Sequence, residues 1–157
     1  MAGLYRALCR AEAVIAGAFL LGMVALIFSG GVARMMAMPL NWTTDIATCL
    51  FAWACFLCAD IAWRNNGLMA IRLVTARLPD ASAAMLERVN LLLIAAFLVY
   101  VVAAGIELAW VSRARTFQGI PGVSYSWVTA SLPAGAALLL LTTLLKLRAT
   151  FRVAPAA

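Results

Sequence analysis

The chain has 157 residues, 66% of them hydrophobic and only 11% charged, with a mean hydropathy of +1.02 and a formal net charge of +6. A soluble domain carries about a quarter of its residues as charged side chains, so a water-soluble enzyme or binding module is excluded and the solvent is lipid. The absence of histidine also excludes bis-histidine haem ligation and histidine-based metal or acid–base chemistry.

Crossing a bilayer takes roughly 20 apolar residues at about 1.5 Å each. Four stretches qualify, approximately Ala13 to Ala33, Ile46 to Trp63, Val89 to Val111 and Trp127 to Leu145. None alternates with period two, so a barrel is ruled out, and helices satisfy their backbone within each segment. The fold predicted is an all-α integral membrane protein, a single four-helix membrane domain over residues 1–157.

The first span follows Arg6 and Arg10, as the apolar core of a signal peptide would. It is longer than the roughly 7–15 residues of such a core, and the following RMMAMP offers no small-x-small cleavage site, so the segment is expected to be retained. Gly30 and Gly31 close it. Gly17, Ala18 and Gly22 offer small surfaces for close helix contact.

The second span runs from Asp45 to Arg64 and holds one carboxylate in its apolar interior, in FLCADIAWRNN. Asp60 lies one turn, about 6 Å, from the Arg64 end, and an acid four residues before a base is the favourable order on a helix. Three readings follow: an ion pair with Arg64 near the interface, a contact to another helix or subunit, or a proton- or ion-carrying role, since intramembrane carboxylates are functional suspects. Cys55 and Cys58 have CxxC spacing, but the loops at the opposite end contain no cysteine partners for quinone-linked chemistry. Both are read as small packing residues.

In the segment that follows, Leu68, Ile71, Val74 and Leu78 recur at helical spacing, which predicts an amphipathic interfacial helix over about 67–78. Pro79 ends it, Asp80 or Ser82 can cap the next helix, and that helix is expected to begin near Ala81. The third span holds Glu107 about one turn before Trp110 and Arg113, where a polar strut or an interfacial pair is expected. Asp60 and Glu107 thus stand at opposite membrane surfaces and share no midplane site.

The fourth span completes a charge pattern. Arg6, Arg10, Arg64, Arg72, Arg77, Arg88, Lys146, Arg148 and Arg152 fall on one side, against Arg34, Arg113 and Arg115 on the other. The positive-inside rule then puts both termini in the cytoplasm. Topology accounts for the basic charge, and no nucleic-acid partner is expected. Trp42, Trp110 and Trp127 near one boundary and Trp63 near the other suit aromatic belts.

NWTTDIATCLFAWACFLCADIAWRNNG, then IRLVTARLP, resembles the small membrane subunit of TRAP (tripartite ATP-independent periplasmic) transporters, the DctQ-type or Q subunit. Trp42, Asp45, Trp53, Arg64, Gly67, Leu78 and Pro79 occupy the family's places in and after the second span. Trp127, Pro133 and Gly135 of SYSWVTASLPAG are similar to its fourth-span entrance. Asp45 stands where the family often has glutamate, Cys58 where it favours glycine, and Leu68 and Arg72 where histidine and aspartate are frequent.

The resemblance implies a heterodimer with a large, elevator-type membrane subunit in a bacterial inner membrane. It further implies sodium coupling in that large subunit and an organic acid delivered by a periplasmic binding protein. This chain would be a scaffold with no catalytic residue, metal or cofactor. Trp42, Asp45, Trp53, Asp60, Arg64, Trp127 and Pro133 are its candidate partner-interface or anchoring residues, with Trp42, Trp53 and Arg64 as interfacial anchors among partner and lipid, and Asp45 capping the second helix. Two rival classes are a small self-sufficient four-helix exporter, which wants a membrane-centred carboxylate in its first helix, and a membrane thiol oxidoreductase, which wants outer-loop cysteines.

Overall fold

The computed structural model describes residues 2–65 and 80–152. The five helices among them are α1 (Ala2–Met35), α2 (Asn41–Arg64), α3 (Asp80–Val111), α4 (Ser126–Thr129) and α5 (Ser131–Arg152), with a single 3₁₀ turn at Ser112–Ala114. Four stretches are long and apolar enough to cross a membrane: Cys9–Met35, Asn41–Arg64, Met85–Ala114 and Ser126–Phe151. The predicted amphipathic helix over 67–78, with Gly67, Pro79 and the final residues 153–157, lies outside the described residues.

Each helix extends past its predicted apolar run, because backbone pairing continues until something stops it. α1 passes through Gly30 and Gly31 to Met35 and ends in a Schellman-type cap. There the Met38 amide donates to the Ala33 carbonyl at 3.0 Å and the Ala37 amide to Arg34 at 3.1 Å. Ala37 takes the left-handed position, φ 55°, where glycine is usual. α3 begins at Asp80, one residue from the expected start.

The last span is broken at Ala130 between α4 and α5, and Pro133 explains the position. Its nitrogen has no hydrogen to give to the carbonyl of Thr129, four residues back, and its ring crowds that carbonyl. The helix resumes around it, with the Ala134 amide donating to Ala130 at 3.2 Å.

The spans form an open row. Extensive contact among the described residues runs α1 to α2, α2 to α5, and α5 to α3, while α1 meets neither α5 nor α3 to any comparable extent. Lipid tails are as apolar as leucine, so no hydrophobic force closes such a row into a bundle. Small residues set its spacing instead: Ala16, Ala47, Ala54 and Ala136 are buried, while Leu21, Phe28, Leu93 and Phe97 are exposed.

Three close approaches fix the order of the row. A Cβ on Gly30 would sit 2.6 Å from Thr43 Oγ1 on α2. One on Gly105 of α3 would sit 3.0 Å from Pro133 Cδ, and one on Gly135 of α5 would collide with the Phe56 side chain of α2. The predicted small surface on α1 is thereby corrected. Gly17 has nothing within 4 Å and Ala18 is exposed, so Ala16, Gly22 and Gly30 carry the α1–α2 contact.

Between the 3₁₀ turn and α4 the chain makes a short hairpin that the apolar pattern did not predict. Thr116 and Ser124 form an isolated antiparallel bridge, closed by Ile120-Pro121-Gly122-Val123 with Gly122 at φ 99°. Pro at the second and Gly at the third position suit a type II turn. Phe117 is buried and meets Tyr125 edge to face at 5.5 Å.

Candidate functional site

Near the Arg64 end of the row three helices meet through charged side chains. Arg64 Nη2 on α2 donates to Glu12 Oε2 on α1 at 2.7 Å and to Asp60 Oδ2 one turn earlier on its own helix. Thr142 Oγ1 on α5 donates to the other Asp60 oxygen at 2.7 Å. Asp60 is completely buried and Thr142 nearly so. One turn further on, Trp63 Nε1 donates to Thr143 Oγ1 at 3.0 Å. Lys146 lies over the Trp63 ring at 4.4 Å and donates to the Trp63 carbonyl.

The i, i+4 spacing of Asp60 and Arg64 forms the expected pair. Its surroundings differ from those expected of a near-interface pair, because α1 and α5 flank α2 at this level and close over the carboxylate. The pair is thus part of a buried three-helix clip. Glu12, missed because it stands one residue before the predicted apolar run, joins the pair as a second acid on Arg64.

The opposite end is held by Asp45. It does not cap α2, whose N-cap position is Leu40 and has no side-chain hydrogen bond. Standing in the second turn, Asp45 instead accepts the Gly119 amide of the hairpin at 2.6 Å. A Cβ on Gly119 would lie 2.5 Å from Trp42 N, so the hairpin sits directly on the start of α2. Asp45, Thr48, Arg115, Gln118 and Tyr125 line a cavity of about 330 Å³ beside it.

Trp53, expected as an interfacial anchor, also ties two elements of this chain together. It stands near the middle of α2, with its indole directed back along the helix, and its Nε1 donates to the carbonyl of Trp127 at 3.1 Å. The rings of Trp42 and Trp127 themselves are exposed at the hairpin end. Trp110 is exposed there too, with the Arg113 guanidinium 4.1 Å from its ring centre. Pro133 positions α5 against Gly105.

The four cysteines are free thiols. Cys49 and Cys58 are half-buried, whereas Cys55 is exposed and so does not pack within this chain. Glu107 is exposed as well and forms no ion pair among the described residues.

The arrangement binds helices to one another at both ends and brings no two of its acids to a midplane site. Residues 23–153 match the family model for tripartite ATP-independent periplasmic transporters, DctQ component. The chain belongs to the DctQ family. A DctQ chain is the small membrane component of a TRAP transporter, a transport component, and the four long apolar helices make this one a multi-pass membrane protein. No curated protein matches it. Within this DctQ chain the resemblance residues Trp42, Asp45, Trp53 and Arg64 are spread along α2, and each meets a neighbouring element through its side chain or its backbone. Glu12, Thr142 and Gly119 complete those contacts and were not singled out by sequence. Only Gly119 had a local signal, the Pro-Gly turn just after it.

Proposed function

We propose that this chain is the non-catalytic small permease subunit of a TRAP transporter in a bacterial inner membrane, with both termini cytoplasmic. It scaffolds a large elevator-type subunit, which couples sodium entry to uptake of an organic acid delivered by a periplasmic binding protein. The observation that carries this reading is the use made of the charges. Glu12, Asp60 and Arg64 are engaged in joining α1, α2 and α5, so they stabilise a wall and do not form the midplane substrate site of a secondary transporter. The family match supports the same division of labour.

Reconstituted alone into vesicles under a sodium gradient, the chain is expected to take up no organic acid, with or without a binding protein. Adding the large subunit and its matching binding protein should give sodium-dependent uptake. Uptake by the small chain in isolation would overturn the scaffold assignment and return the self-sufficient exporter class.

The nine-to-three basic bias supports cytoplasmic termini. Reporter fusions after Gln118 should read as periplasmic and those at Ala157 as cytoplasmic. A periplasmic signal at Ala157 would reverse the topology.

A further inference from the structure

The two ends of the row differ in a way that assigns the partner's place. α3 touches the row through one stripe, with Leu91, Leu98, Gly105 and Ser112 buried. On the opposite side of the helix, at the same heptad spacing, lie Leu93, Tyr100 and Glu107, flanked by the exposed alanines 96 and 103. Tyr100 is 70% exposed. Its hydroxyl makes no hydrogen bond among the described residues. Tyr100 follows Arg88 by twelve residues, about 18 Å along the axis, which puts it near the middle of a hydrocarbon layer of about 30 Å. Lipid tails offer a phenol no partner there, and an unpaired hydroxyl in hydrocarbon is penalised. Two turns on, Glu107 presents a carboxylate on the same stripe.

The free face of α1 at the other end of the row carries no such demand. Val14, Leu21, Val24, Phe28 and Val32 are exposed on it, and the one exposed hydroxyl among its described side chains, Ser29, donates to the Leu26 carbonyl at 3.0 Å. That face is complete against lipid.

We propose that the α3 stripe of Leu93, Tyr100 and Glu107 is the surface on which the large membrane subunit packs. The partner presents a membrane helix that accepts the Tyr100 hydroxyl near mid-bilayer and sets a cationic or hydrogen-bond-donating side chain against Glu107. Ala96 and Ala103 let that helix approach closely. The partner continues the row past α3, and α1 remains the lipid-facing end. This placement rests on the reading of the chain as a small subunit.

The test is co-purification of the cognate large subunit with the tagged full-length chain from co-expressing membranes. Ala103→Trp should reduce the captured large subunit about tenfold or more, as expected for overpacking an interface. Tyr100→Phe combined with Glu107→Gln should reduce it about tenfold, at about threefold per intramembrane hydrogen bond. Ala18→Trp and Ala25→Trp on the free face of α1 should leave it within about twofold of the unsubstituted chain. All five substituted positions are exposed in the isolated chain, so melting temperatures of the purified variants should match.

Capture unaffected by Ala103→Trp, or lost with Ala18→Trp, overturns the α3 placement while leaving the small-subunit reading intact. Loss of self-association by Ala103→Trp with capture retained also overturns it, in favour of a second copy of this chain. An unsubstituted chain that captures no large subunit overturns the small-subunit reading itself.

Discussion

Replacing Arg64 by methionine is expected to destabilise the folded chain by about 3–5 kcal/mol, the penalty typical of breaking a buried ion pair by removing one partner. The reason is local. Arg64 is the cation that meets both Glu12 and the fully buried Asp60, so its loss leaves two carboxylates facing each other across the α1–α2 contact. Most of that loss should be recovered when the acids are neutralised too, in the triple variant Glu12→Gln, Asp60→Asn, Arg64→Met, because much of the penalty is uncompensated charge. Thermal unfolding of the purified protein in detergent checks both. An Arg64→Met protein that melts with the parent would mean that water solvates the cluster, and the clip would be discarded.

A second large effect is expected at Gly135. An added Cβ would collide with the Phe56 side chain at its root, where rotation about χ1 gives no relief. α2 and α5 must separate, and the same pair of helices carries the Asp60–Thr142 and Trp63–Thr143 bonds. Gly135→Ala should therefore cost at least the roughly 1–3 kcal/mol usual for overpacking. Gly17→Ala is the matched control. The space there is open, and alanine is the better helix former, so that variant should melt no lower than the parent. Equal melting of Gly135→Ala and Gly17→Ala would contradict the helix spacing described.

What sequence could show here followed from distance along the chain. The four spans were legible because each is a local excess of apolar residues, and the Asp60–Arg64 pair because one helical turn is a local relation. Glu12 and Thr142 complete that pair from 52 and 82 residues away, and nothing in a single sequence records which helices are neighbours. The tie made by Trp53 was hidden for the same reason. Nothing local to Trp53 points to its partner, a carbonyl 74 residues on. The α1 contact surface failed differently. Glycine and alanine are frequent throughout that helix, and small size alone did not distinguish Gly30, which faces Thr43, from Gly17, which faces open space.

The neighbour order of the row, α1, α2, α5, α3, is not the order in which the ribosome delivers these helices. α2 and α3 enter the membrane while the segment that will separate them is still being synthesised. Thr142, Thr143 and Lys146, which engage Asp60 and Trp63, arrive last of all the residues in that cluster. The nascent chain must then keep a lateral gap between its second and third spans, or reopen one, for the final span to slot into. Until it does, α3 lacks its one extensive neighbour. Completion of this wall is a post-insertion event, and a chain truncated before Ser126 would leave an α1–α2 pair and a solitary third helix drifting apart in the bilayer.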